Sequence, residues 1–358
     1  MRYLVLLAAI ALAIAGYTAF WFHIRSEAEA NVEAWVKERR DAGDTVQYGS
    51  LDFGGYPFRI EATATMPVFG RTSGSRAWTV EGDSLRVIAA PWNLGHVVAY
   101  HEGPFQIHYR ATRDDGHERM IDLTGSSEAA GASAVWKGGA WDHADLELAG
   151  LSMMAKGANA PLSAGHFEFH VRKMHPGAPE EVGGIDQPAR TEYALEASDL
   201  SFPGGGGQPL GSELQSFETI LEVHGDRPLG RTIPEIEAWR DAGGIVDVKT
   251  FAVDWGPLKL TLDGSLALDE ANRPVGALTA HLREYDKLID ALVGQEKRGM
   301  DPGLKKFLDG LVQASGQPQD ELSLPFSMQD GMLYLGPVAV TTISPLIGPS
   351  APAQPPAN

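Results

Sequence analysis

Two hydrophobic patterns divide the chain near residue 43: a helical one before it and strict alternation of apolar and polar residues after it. Phe58, Ile60, Ala62, Ala64 and Met66 interleave with Arg59, Glu61, Thr63 and Thr65, the period of a strand with one buried face, and Pro67 ends the run. The same period returns in Phe105, Ile107 and Tyr109, in Leu146 and Leu148, in Phe167, Phe169 and Val171, and in Phe217, Thr219, Leu221 and Val223. Its longest stretch is Leu258–Leu268, where Leu258, Leu260, Leu262, Gly264, Leu266 and Leu268 share one face. At about 3.3 Å per residue that strand covers roughly 36 Å. A turn at Asp269–Pro274 leads into Val275–Leu282, where Gly276, Leu278, Ala280 and Leu282 continue the pattern. The expected fold is mainly β: an N-terminal transmembrane helix, then a long, curved, mostly antiparallel sheet with a few packing helices.

Helical signals are sparse. Thr232-Ile-Pro-Glu235 has the form of a capping box with proline in the first turn, and Gly243-Gly244 closes the helix it opens. Tyr285–Val293 is an amphipathic candidate, as is Asp301–Ala314 with Leu304, Phe307, Leu308 and Leu311 on one stripe. The 41 glycines and 23 prolines fit a chain of strands and turns. Loops are expected at Gly204–Gly207 and around Pro176–Pro188, and a disordered proline-rich tail over 345–358.

The charge-free run Tyr3–Phe22 changes the picture most. As a helix it spans roughly 30 Å, the thickness of a bilayer core. Arg2 and the N-terminal amine precede it, and Glu27 and Glu29 follow soon after Arg25, so the bias of positive charge leaves the N-terminus in the cytoplasm and exports the rest. Trp21, Phe22 and His23 suit the interfacial belt at its outer end. Ala13-Ile14-Ala15 before Gly16 also fits a signal-peptide cleavage site. The apolar run continues past it to Phe22, and the helical pattern runs on to Gly43, which favours a retained anchor. The organisation expected is an anchor over 1–23, a juxtamembrane helix over 24–43, and one exported β-rich domain over 44–344.

Composition narrows the partners. A net charge of −18 lacks the basic clusters that displace counterions from nucleic acid, so no nucleic-acid partner is expected. With no cysteine in the chain there is no disulfide, thiolate metal site or cysteine nucleophile. Motifs for a nucleophile elbow, a zinc protease helix, a phosphate loop or a dinucleotide fold are missing. His166 and His170 flank Phe167-Glu168-Phe169, but four residues along a strand separate them by roughly 13 Å, too far for one zinc ion. Asp114-Asp115-Gly116 reads as a hairpin turn, and so does Trp136–Trp141, with no third partner for Asp142 and His143. No catalytic, metal or cofactor residues are assigned, and no enzymatic activity is expected.

Four blocks carry a resemblance: GGYPFRIE (Gly54–Glu61), APWNLGHVV (Ala90–Val98), the segment Asp254–Leu282, and LPFSMQDGMLYLGPV (Leu324–Val338). Together they resemble an uncharacterised proteobacterial envelope family catalogued as domain of unknown function 2125. That resemblance implies a single-pass inner-membrane protein with a β-rich periplasmic part, and it brings no catalytic residues with it. The segment from Asp254 is also similar, more loosely, to AsmA-like envelope proteins, whose long curled sheets carry an apolar groove associated with lipid traffic.

The expected function is therefore binding rather than catalysis. Leu258, Leu260, Leu262, Leu266, Leu268 and Leu278 are the candidates for a hydrophobic-ligand face. Burial under protein and burial under lipid demand the same alternation, so these leucines equally suit a core covered by the helices at Tyr285–Val293 and Asp301–Ala314. A scaffold for an envelope complex is the alternative function, with an unrecognised hydrolase behind it.

Overall fold

The computed structural model describes residues 2–72, 76–112, 118–174, 180–182, 185–187, 189–203, 210–230, 232–284, 287–288, 310 and 321–348. The predicted helices at Tyr285–Val293 and Asp301–Ala314 fall almost wholly outside this set, as do Asp114-Asp115-Gly116, Gly204–Gly207 and the tail from 349. Contacts divide the chain into two units, Met1–Ser163 and Ala164–Asn358.

The first unit opens with α1 (Arg2–Asp41), one unbroken helix that carries both the apolar run and the charged segment after it. It is the one helix among the described residues long and apolar enough to cross a membrane, with a mean hydropathy of 2.2 over its best window. In its second half, the ion pairs Arg25–Glu29 and Lys37–Asp41 lie one turn apart, the spacing that steadies an exposed helix. The helix ends as Gly43 and Asp44 return their N–H groups to the carbonyls of Arg40 and Arg39. The strands that follow are β1 (Thr45–Gln47), β2 (Ser50–Gly54), β3 (Ile60–Thr65), β4 (Val68–Arg71), β5 (Arg76–Ala90), β6 (Asn93–Thr112), β7 (Glu118–Ser126), β8 (Ala129–Lys137) and β9 (Ala140–Ala155).

The antiparallel sheet of this unit is built on the long strands β5, β6 and β9, with short strands set end to end between or beside them. The long β5 has β3 and β4 end to end along one edge and β6 along the other. In turn β6 has β8 and β7 end to end on its far edge, and β9 closes against both. The interruptions fall in one row across the strands: Met66-Pro67 between β3 and β4, Asp83 in β5, Gly103-Pro104 in β6, Ser127-Glu128 between β7 and β8, and Gly150 in β9. Pro104 brings no N–H to the ladder, and Gly103 takes φ +89° against Asp83, a conformation that side chains resist. Irregularities of this kind kink a strand and increase its twist. Aligned in one row, they bend the whole sheet along a single crease.

One expectation changes here. Phe58 and Met66 were expected on the buried face of the first strand, but β3 runs only from Ile60 to Thr65, and both lie outside it, exposed. The Tyr56–Pro57 peptide is cis and begins a turn closed by Arg59 N–H on the Gly55 carbonyl, while Met66 has φ 46°. Turn chemistry overrides the alternation at both ends of the run.

The second unit opens with β10 (Leu162–Lys173) and a small hairpin of β11 (Glu180–Val182) and β12 (Ile185–Gln187). Next come β13 (Ala189–Ser201), β14 (Glu213–His224), α2 (Ile233–Asp241), β15 (Ile245–Trp255), β16 (Leu258–Leu268), β17 (Pro274–Arg283), β18 (Glu321–Gln329), β19 (Met332–Leu335) and β20 (Val338–Thr342). From β13 to β20 each strand pairs antiparallel with the next, a simple meander. Helix α2 starts as its sequence demands: the Glu235 carboxylate reaches back to the Thr232 N–H at 3.0 Å. Its Trp239 is 2% exposed, and the indole N–H donates to the His224 carbonyl at 2.9 Å.

Candidate functional site: an apolar trough in the first sheet

The crease of the first unit holds a cavity of about 400 Å³ lined almost entirely by carbon. Register explains its depth. Leu85, His101, Ala130 and Leu148 face one another in one cross-strand row, and Ala99, Ala132 and Leu146 form the next. Three alanines stand where the sheet would otherwise carry full-sized side chains, so the rows dip between Leu85 on one side and Leu146 and Leu148 on the other. Phe105 and Phe69 wall the trough, and Phe69 stacks on Trp35 of α1 at 6.1 Å between ring centres. The second half of the helix therefore borders the site.

Two lining residues, Glu81 and His101, have polar side chains. His101 packs its ring edge-on to Phe105 at 5.9 Å, and its Nε2 is shut off from solvent with no hydrogen-bond partner among the described residues. The nitrogen lies against Gly82, where an added Cβ would come within 2.7 Å of it, so the ring is packed into the wall of the trough.

The leucines selected from the sequence lie elsewhere, in the second unit. Leu258, Leu260, Leu262, Leu266 and Leu268 are half-buried on β16, and Leu278 is half-buried on β17. Across the ladder they continue through Ala280 and Leu282 to Leu322 and Leu324, which are buried with Leu335 as a core cluster. The face is thus closed at its β18 side. The trough residues were passed over because Ala99 on β6 and Ala130 and Ala132 on β8 come together only through the register of the two strands. The run AAGASA (Ala129–Ala134) was the available signal, a strand too small to fill a core.

Two charged clusters test the chain for metal chemistry. In the second unit Glu222, His224 and Asp247 place possible ligand atoms within 4.8 Å of one another. Lys249 already supplies a cation there, with its ammonium 2.8 Å from Asp247 and 3.4 Å from Glu222. The cluster is a charge-paired lining between β14 and β15, and a metal ion would compete with that ammonium. On β9 and β10, Glu147, His166 and Glu168 form the second such group within 4.8 Å; His166 Nε2 lies 2.6 Å from one Glu168 oxygen and His170 Nε2 2.9 Å from the other, so the carboxylate is shared between the two rings. At the β8–β9 hairpin Asp142 contacts both His143 and Lys137, which makes it an ion-pair acceptor within the turn.

Hydrogen bonding by His170, then by His166, holds the Glu168 carboxyl below its usual value of 4.5. The sign follows: a carboxylate whose folded value is depressed contributes stability above pH 4.5, and that contribution disappears as pH falls through the depressed value. Glu168→Gln is therefore expected to destabilise the protein near neutral pH and to have little effect once the wild-type carboxyl is protonated. Urea midpoints measured from pH 7 down to 3 would show this, and a constant difference across that range would contradict it.

A mainly antiparallel β protein with one membrane-length apolar helix and a carbon-lined trough is the class these features define. The chain belongs to the family described as "Uncharacterized protein conserved in bacteria (DUF2125)", whose model matches residues 21–344. No curated protein and no solved structure matches it.

Proposed function

We propose that this chain is a single-pass inner-membrane protein, its bulk in the periplasm, that holds the acyl chain of a lipid or lipoprotein in the trough of its first sheet and serves envelope maintenance without catalysis. The carrying observation is the trough itself: a cavity of about 400 Å³ with a carbon lining, Glu81 and His101 its two polar side chains. An apolar body with a few placed polar groups is what a hydrophobic-ligand site needs. Here the acyl chain lies over Ala99, Ala130 and Ala132, between Leu85 on one side and Leu146 and Leu148 on the other. The charge bias around Tyr3–Phe22 supports the orientation. The AsmA-like resemblance points the same way from sequence alone.

The test uses the full-length protein in phosphatidylcholine nanodiscs with a long-chain fatty acid bearing a diazirine. Illumination should leave adducts on β6, β8 and β9, and Ala132→Trp, which fills the trough, should abolish them while the circular dichroism spectrum stays unchanged. Adducts confined to α1, or adducts indifferent to Ala132→Trp, would remove the lipid reading. Capture of one stoichiometric protein partner in their place would favour the scaffold.

A further inference from the structure

The hairpin turns at one end of the first sheet carry large exposed aromatic side chains. Tyr56 and Phe58 lie in the turn between β2 and β3, Trp92 in the turn between β5 and β6, and Trp136 at the end of β8. Register puts these turns together: Ile60 pairs with Ala89, Ala90 with Asn93, and His96 with Val135. Phe58 is 76% exposed and Trp92 67%. Isolated aromatics on a surface need no explanation, but a row of them on adjacent turns does.

The same turns meet α1 at the outer end of its apolar run. The Trp21 indole N–H donates to the Arg59 carbonyl at 3.0 Å, and Thr18 lies 2.8 Å from the Tyr56 hydroxyl. The Tyr17 hydroxyl donates to the Pro57 carbonyl. Tyr56 packs edge-on to Trp21 at 5.3 Å and stacks with Phe22 at 6.4 Å. Residues 3–16 of the helix, exposed throughout, run about 21 Å past this contact, whereas Val36 is buried and Arg40 bonds the Val46 carbonyl beside the sheet. The aromatic turns therefore stand level with the last turn of the apolar run, where a membrane-crossing helix passes from hydrocarbon to headgroups.

We infer that these turns form a second membrane contact, seating the first sheet end-on in the headgroup layer of the bilayer that α1 crosses, with Phe58 and Trp92 inserted. Aromatic rings with an apolar body and a polar edge concentrate at that depth. The charges at the turns are satisfied within the protein: Arg59 pairs with Glu61 at 2.8 Å and Lys137 with Asp142 at 2.9 Å. The contact is thus apolar and aromatic, indifferent to anionic lipid and to salt. The inference rests on α1 as the anchor and is independent of the trough.

A chain without cysteine makes the test direct. Single variants Phe58→Cys, Trp92→Cys and, at the opposite end, the exposed Met120→Cys are labelled with bimane and reconstituted at full length into phosphatidylcholine vesicles. Met120 lies roughly 50 Å away along the paired strands β6 and β7. Labels at 58 and 92 should emit at shorter wavelength and lose intensity to a shallow nitroxide lipid, in low and high salt alike, while the label at 120 shows neither effect. Emission at 58 and 92 matching that at 120 would overturn the inference. So would shielding that grows with protein-to-lipid ratio without nitroxide quenching, since a second copy would then cover the turns. Every substituted side chain is exposed, and circular dichroism checks that each variant folds.

Discussion

Trp239→Ala is expected to lower the stability of the Ala164–Asn358 unit by about 3–5 kcal/mol. Trp239 is the apolar anchor of α2, 2% exposed, on a helix too short to stand without tertiary packing. Truncation leaves a cavity and also strips the buried His224 carbonyl of the indole N–H that reaches it at 2.9 Å. The ring lies so close to Gly244 that a Cβ there would come within 2.1 Å of its Cε2, so the pocket cannot collapse from that side without moving backbone. Trp239→Phe separates the two contributions: it keeps most of the packing, loses the N–H, and should cost about 1–2 kcal/mol. Urea unfolding at unchanged slope measures both. A loss below about 1 kcal/mol for the alanine variant would mean that α2 is not held through this ring.

The second large effect belongs to the crease. Gly103→Val should destabilise the first unit by about 2–4 kcal/mol and deplete trough occupancy with it. At φ +89° a β-branched residue is strained wherever its side chain goes, and the added Cβ would lie 2.7 Å from the Asp83 Cβ. The strand can relieve that clash only by straightening or separating from β5, and either change moves His101 and Phe105, two residues along on either side. Asp83→Gly in the same chain should recover part of the loss by removing the clash while leaving the φ strain. Unfolding midpoints for the single and double variants, read beside diazirine adduct yield, test it. A stable Gly103→Val protein with normal adducts would show that the crease does not shape the trough.

Periodicity reported what depends on one strand at a time. The alternating run Leu258–Leu268 matches the bounds of β16, because a long strand paired on both edges is specified by its own period. Thr232 and Glu235 announced α2 because capping is local chemistry. The run beginning at Phe58 misled for the converse reason: a cis proline turn and a left-handed Met66 are backbone events that alternation does not encode. For His166 and His170 the roughly 13 Å of backbone separation left out the side chains: both rings turn toward Glu168, whose two oxygens serve them, and Glu147, His166 and Glu168 bring possible ligand atoms within 4.8 Å of one another. The trough was illegible because it is a property of rows across strands. Ala99, Ala130 and Ala132 matter only after register places them side by side; the run Ala129–Ala134 marks a strand of little bulk, but not which row it will hollow.

The continuity of α1 has a geometric consequence. The helix is pinned twice, at Tyr17–Phe22 by the aromatic turns and at Trp35 by Phe69 on the trough wall. With no break between these points it acts as a ruler. The thirteen residues from Phe22 to Trp35 place the second pin about 20 Å beyond the last residue of the apolar run. Half of a bilayer core measures only about 15 Å. On the proposed reading, an acyl chain in the trough would stand outside its leaflet, so loading would amount to extraction of the lipid and not to a shared hold on it. A one-residue insertion between Arg25 and Trp35 would turn the two pins about 100° out of phase, and the ruler could then serve only one of them.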